Sequence, residues 1–166
     1  KSRSRKTRKD RIKEMRLSSL CYLEQDGKYL MLYRNKKQND INQGKWLGIG
    51  GKFENGETPE ECMLREVKEE TGLSIIRYSY RGLVTFVQEG QETEYMHLFT
   101  ADQWEGVSAA CTEGTLAWIK KEEVFQLELW EGDKVFFRLL EQRREYFSLK
   151  LYYIGEKLVD VICYPE

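Results

Sequence analysis

Glu57, Arg65, Glu66, Glu69 and Glu70 concentrate the side chains best suited to chemistry into a short stretch of this chain. On a helical wheel stepping about 100° per residue from Met63, Leu64 and Val67 join Met63 within an arc of about 100°. Glu69, Glu66 and Glu70 fall near 240°, 300° and 340°, beside that apolar stripe and toward the carboxyl end of the segment. Two carboxylates about 5 Å apart, at an effective dielectric near 20, repel by roughly 3 kcal/mol. The helix dipole adds to the cost, because it disfavours anions at that end. A glutamate-rich helix is often only a solvated face. The alternative is a cation among the carboxylates, and hard oxygen donors without histidine or cysteine suit magnesium, or manganese in its place. Composition alone leaves both open. The interleaved Arg65 and the preceding segment Gly50-Gly51-Lys52-Phe53-Glu54-Asn55-Gly56-Glu57 favour the metal, since a glycine-rich loop lets backbone approach a ligand and aim a carbonyl oxygen at it.

Other chemistries fit poorly. His97 is the single histidine. It sits among Tyr95, Met96, Leu98 and Phe99 in a strand-like run, which predicts a packed or surface imidazole and no nucleophilic relay. Cys21, Cys62, Cys111 and Cys163 are widely spaced, against a structural zinc and a disulfide framework. A reduced, cytoplasmic setting is expected. No run of about 18 apolar residues predicts a membrane span.

The acidic segment needs elements to hold it. Thr58 caps a helix with Pro59 at its first position and Glu61 completing a Thr-x-x-Glu box, and Gly72 ends it with Leu73 packing back. The spacing therefore predicts a helix from Pro59 to Thr71. Upstream, 17–22 and 28–34 read as strands joined through Asp26-Gly27, a pair that tolerates a tight turn. A polar loop (35–45) and a short apolar stretch (46–49) lead to Gly50-Gly51. Downstream, 75–88, 94–101 and 116–119 read as strands. A second helix is expected over 133–144 with Val135, Phe136, Leu139 and Leu140 on one side. A closing hairpin, 147–153 and 158–163, turns through Gly155-Glu156. Together these predict one α+β domain over residues 17–166 with a mixed sheet between helices.

Gly51, Glu57, Arg65-Glu66-Val67, Glu69-Glu70 and Gly72-Leu73 fit G-x5-E-x7-R-E-U-x-E-E-x-G-U at every defined position, where U is a bulky apolar residue. At roughly 7% usage per residue type, such a match arises by chance on the order of once in 10⁸ starting points. The segment resembles the Nudix box, and the element order is similar to the α/β/α sandwich of the Nudix hydrolases. The resemblance implies magnesium-dependent hydrolysis of a nucleoside diphosphate joined to a further group, cut at the pyrophosphate by water. It places Glu66, Glu69 and Glu70 as metal ligands and base, with Glu66 the favoured base, and the Gly50 carbonyl as a backbone ligand. Glu57 and Arg65 match the pair that braces loop against helix. Glu113, before Trp118, falls where relatives often carry another acid, and an ordinary loop carboxylate is the competing reading.

The chain further resembles the MutT-like 8-oxo-dGTP diphosphatases, which sanitise the nucleotide pool, through Lys45-Trp46-Leu47-Gly48-Ile49-Gly50-Gly51-Lys52 and Leu129-Trp130-Glu131-Gly132-Asp133-Lys134. That implies a base pocket with Trp130 as stacking platform, Asp133 as edge acceptor and Phe86 as a further wall, together with Leu47 and Lys52. The animal enzymes carry Asn where Leu47 stands, and Trp-Pro-Asp-Asp where Trp130-Glu131-Gly132-Asp133 stands. One amide and one acid are therefore missing. Trp130 has a competing reading as a helix-start residue folded into the core. ADP-ribose, a dinucleoside polyphosphate or an RNA 5′-triphosphate are alternative substrates, and a catalytically dead nucleotide-sensing module is a further one. The intact acids speak against the last.

Residues 1–16 carry nine Lys or Arg against Asp10 and Glu14, a net +7, which leaves −8 on the rest of a chain totalling −1. Such an apolar-poor tail predicts disorder and weak nucleic-acid contact, or an inert solvated extension. Both a monomer and a homodimer are compatible with the sequence.

Overall fold

The computed structural model describes residues 15–36, 39–108, 114–142 and 145–166. Nine strands and two α-helices follow one another along these residues. They are β1 (Met15–Gln25), β2 (Lys28–Tyr33), β3 (Trp46–Leu47), β4 (Ile49–Lys52), α1 (Pro59–Thr71), β5 (Ser74–Gln88), β6 (Thr93–Glu105), β7 (Thr115–Lys120), α2 (Glu131–Gln142), β8 (Phe147–Ile154) and β9 (Lys157–Tyr164). The first strand starts at Met15, so Met15 and Arg16 belong to the sheet and not to the expected tail. Residues 1–14 and Glu113 lie outside the described residues.

The sheet runs β3-β2-β1-β6-β5-β8-β9, with β4 also on β1 and β7 on β2. The β1–β6 and β5–β8 pairs are parallel and the rest antiparallel, so the sheet is mixed, as expected. The β1–β2 turn has positive φ at both Asp26 (51°) and Gly27 (72°), the conformation of a two-residue hairpin loop. The 46–49 stretch is not one strand. It breaks at Gly48, where a Cβ would meet the Tyr22 ring at 2.9 Å, so the chain passes from a partner on β2 to one on β1.

Alternation along β1 divides the core into two layers. Cys21 and Leu23 face Met63 and Val67 of α1, whereas Tyr22 faces Phe136 and Phe137 of α2. The helices therefore cover opposite faces of the sheet. Phe137 is fully buried, while the expected stripe members Val135 and Leu139 pack only partly. Each such fully buried side chain contributes about 1.5–3 kcal/mol. On α1 the buried set is Cys62, Met63, Val67, Glu70 and Thr71, with Leu64 half-buried. Among the described residues, no helix is long and apolar enough to cross a membrane.

Candidate active site

The ends of α1 form as the cap residues dictate. Thr58 Oγ1 accepts from the Glu61 N–H at 3.1 Å, and Gly72 adopts φ 79° while its N–H donates to the Lys68 carbonyl. A rigid helix thus presents Arg65, Glu66 and Glu69 to the loop that follows β4.

Arg65 organises this junction. Its Nε and Nη2 donate to the two oxygens of Glu57 at 2.7 and 2.9 Å, and Nη2 also donates to the Lys52 carbonyl at 3.1 Å. Its Nη1 donates to Glu66 at 2.7 Å and to Glu69 at 3.2 Å. Glu57 in turn accepts from the Glu54 N–H at 2.6 Å. The Arg65 guanidinium and then that backbone N–H hold the Glu57 carboxyl down at about 2. The carboxylates raise the Arg65 guanidinium in return, Glu57 foremost. The repulsion expected among the acids is therefore offset first by a cation from the helix itself. Among the described residues, no three acid, thiol or imidazole side chains converge as a closed metal-binding group.

Two contacts fix the loop against the helix. A Cβ on Gly51 would lie 2.5 Å from Cδ of Glu66, so the missing side chain is what lets this carboxylate lie on the loop backbone. Cys62 donates its thiol to the Gly51 carbonyl at 3.4 Å. Gly50 has a different reason to be glycine, because its Cβ would stand 1.9 Å from the Ser19 carbonyl across the β1–β4 ladder. Glu70 is almost fully buried and Glu69 is largely exposed, so the three acids differ in environment despite their shared arc.

A cavity of about 790 Å³ opens beside this junction, the size of a small-molecule site. Its wall includes Gly50, Gly51, Lys52, Arg65 and Glu66 at one end and Leu47, Phe86, Trp130 and Asp133 at the other. Every residue expected in the base pocket lines it. Glu57, Glu69 and Glu70 do not; Glu57 sits in the loop before α1, and Glu69 and Glu70 lie on the helix. Trp130 is buried to 4% exposure. Its indole N–H donates to Asn42 Oδ1 at 2.8 Å, and its ring meets Phe86 and Tyr153 edge-on at 5.2 Å. The Lys45 ammonium lies 4.8 Å from its centroid. In this arrangement Trp130 is a packed wall with little free face, and the reading of a residue folded in at a helix start describes it. Asp133 is buried too, and burial pushes its carboxyl up to about 8. Burial thus favours the protonated form, which can donate as well as accept.

Sequence reasoning passed over Asn42, Cys62 and Glu94. Asn42 lies in the polar 35–45 loop and reaches Trp130 across 88 residues, which no local pattern announces. Glu94 lines the cavity from β6, and strand alternation with Met96 was the available signal. His97 is packed as expected. Its Nδ1 is 2.8 Å from the Tyr80 hydroxyl, and burial lowers its pKa.

The box residues, the two-helix sandwich and the acid-lined cavity are the features of one family. Residues 15–140 match the family described as NUDIX domain, more than half of the chain, and the protein belongs to the Nudix hydrolases. It is 33% identical over 135 residues to a Danio rerio protein named oxidized purine nucleoside triphosphate hydrolase, covering 80% of this chain and 84% of that one. The Mus musculus protein of the same name is 32% identical over 111 residues, covering 66% and 71%. The crystal structure of a MutT protein from Bacillus halodurans superposes with a TM-score of 0.81 at 27% identity, covering 91% of this chain and 99% of that one.

Proposed function

We propose that this Nudix hydrolase cleaves oxidised purine nucleoside triphosphates, 8-oxo-dGTP among them, to the monophosphate and pyrophosphate with magnesium. The observation that carries the reading is the single cavity joining the Gly51–Glu66 junction to an aromatic and apolar slot. One end suits phosphates and the other a flat base. The names of the two vertebrate relatives point to the same substrate class.

The donor set fits a hard divalent ion. The carboxylates of Glu66, Glu69 and Glu70 lie on one helix next to a loop whose Gly51 leaves room for Glu66. These acids and the Gly50 carbonyl would hold magnesium, which when bound neutralises phosphate charge and acidifies water. The chain supplies the rest. Arg65 and Glu57 keep the loop at a fixed distance from the helix, so Glu66 keeps its place on the cavity wall without reorganising. Glu66, the acid that reaches both Gly51 and the cavity, is placed to take a proton from the attacking water. Phe86, Leu47 and Trp130 exclude water around the base. Arg65 fixes the Glu66 carboxylate in position.

A panel of 8-oxo-dGTP, dGTP, ADP-ribose and a triphosphorylated RNA, assayed with magnesium and resolved by product, tests the reading. Pyrophosphate released from 8-oxo-dGTP well above dGTP is the expected result. AMP from ADP-ribose as the main product would overturn it.

A further inference from the structure

We propose that Glu94 is a specificity residue that accepts the N7–H of a purine oxidised at C8, and so separates oxidised from ordinary purines. The inference rests on the substrate class proposed above.

Glu94 stands on β6 in register with Arg16 of β1 on one side and Phe86 of β5 on the other. Side chains paired across neighbouring strands share one face of the sheet, about 5 Å apart at Cβ. One step along the same face lie Met96, Ser18 and Lys52, again paired strand to strand. These residues form a cavity floor with Phe86 on one side of Glu94 and the β1–β4 end on the other. The β1–β4 end leads into Gly50, Gly51 and the acids of α1. Asp133 lies elsewhere, at the start of α2.

A nucleotide has one direction in which to fit this layout. Its sugar and phosphates leave the slot toward Gly51 and Glu66, so the five-membered ring carrying the sugar lies toward the β1–β4 end. The six-membered ring lies beyond, near Asp133. Glu94 therefore borders the five-membered ring. In an ordinary purine N7 is a lone pair, which a carboxylate repels. Oxidation to the 8-oxo form makes N7 an N–H donor, which a carboxylate accepts. The surroundings keep Glu94 suited to accepting. Burial raises its pKa, and Arg16, a hydrogen bond with Ser18 and Lys52 offset that only in part; in either protonation state a carboxyl oxygen remains to accept. Failure to pair a buried polar group is what makes such discrimination strong.

The test compares Glu94→Leu with the wild-type protein on 8-oxo-dGTP, 8-oxo-dATP, dGTP and dATP, reading kcat/KM for each. Both oxidised substrates carry N7–H and differ on the six-membered ring. We expect about ten- to a hundredfold loss on both oxidised substrates and an unchanged or raised kcat/KM on dGTP and dATP, where a repulsive contact with N7 is removed. Glu94→Gln keeps the volume and a weaker acceptor, and is expected to lose several-fold on the same two substrates; it carries the test should the leucine variant not fold. Loss on the two guanine nucleotides together, loss on all four equally, or no loss would each overturn the assignment. A wild-type protein with no preference for oxidised purines overturns the substrate class as well. An unchanged pattern in the variants beside an intact wild-type preference overturns only the role of Glu94.

Discussion

Replacing Gly51 with alanine separates a catalytic arrangement from mere stability. The new Cβ would stand 2.5 Å from Glu66 Cδ, whereas carbons in contact rest about 3.5 Å or more apart, so the carboxylate must retreat by about 1 Å. Glu66 is held at 2.7 Å by Arg65 Nη1, so the retreat lengthens or breaks one charge-assisted hydrogen bond worth roughly 1.5–3 kcal/mol. Gly51 is not among the positive-φ glycines, so alanine suits its backbone and returns about 0.4–1 kcal/mol through the unfolded chain. The net stability loss is then about 1–2 kcal/mol, or a midpoint lowered by roughly 2–8 °C. A displacement of about 1 Å at a reacting group costs on the order of 10²-fold in rate. Pyrophosphate release from 8-oxo-dGTP and thermal unfolding, measured on the same preparation, should show a large fall in kcat beside a small fall in midpoint. Wild-type kcat in a folded Gly51→Ala protein would refute the placement of Glu66 against the loop. Gly50→Ala is the contrasting control, because its Cβ meets backbone at 1.9 Å and the β1–β4 ladder must open.

Other outcomes follow from the same geometry. Glu57 has a depressed pKa, so its contribution to stability is complete above the ordinary value of 4.5 and is lost as pH falls toward 2; Glu57→Gln should flatten the midpoint-against-pH curve in that window only. Asp133 has a raised pKa, so its contribution is present below 3.8 and is lost as pH rises through 8. This amounts to roughly 4 kcal/mol between pH 4 and 7, and Asp133→Asn should remove that decline in urea titrations. Arg65→Lys cannot donate to Glu57 through two nitrogens and to Glu66 and Glu69 through a third, so turnover should fall at least tenfold while circular dichroism is unchanged. Glu69→Gln should abolish turnover with an unfolding midpoint equal to or above that of the wild-type protein, since one anion of a crowded helix end is removed.

The sequence announced what is local. Thr58, Pro59, Glu61 and Gly72 set the ends of α1 through contacts a few residues long, and Asp26-Gly27 set a hairpin in the same way. The spacing from Gly51 to Glu66 likewise foretold that loop and helix meet. What stayed hidden depends on pairing between distant strands. Register alone puts Glu94 beside Phe86, and packing alone turns Trp130 inward onto Asn42 and Tyr153. Burial, which no motif encodes, raises the Asp133 pKa and gives Glu70 an environment unlike that of Glu69. The charge balance of α1 shows the same limit. The wheel revealed crowded acids, but only the structure shows one guanidinium bridging Glu57, Glu66 and Glu69.

Manganese uptake read by the loss of its free-ion magnetic resonance signal, with nucleoside monophosphate present, bears most directly on the α1 acids as a metal-dependent centre. The wild-type protein should take up the ion, and Glu66→Gln and Glu69→Gln should each weaken uptake at least tenfold. Equal uptake by all three proteins, or none by the wild type, would contradict it.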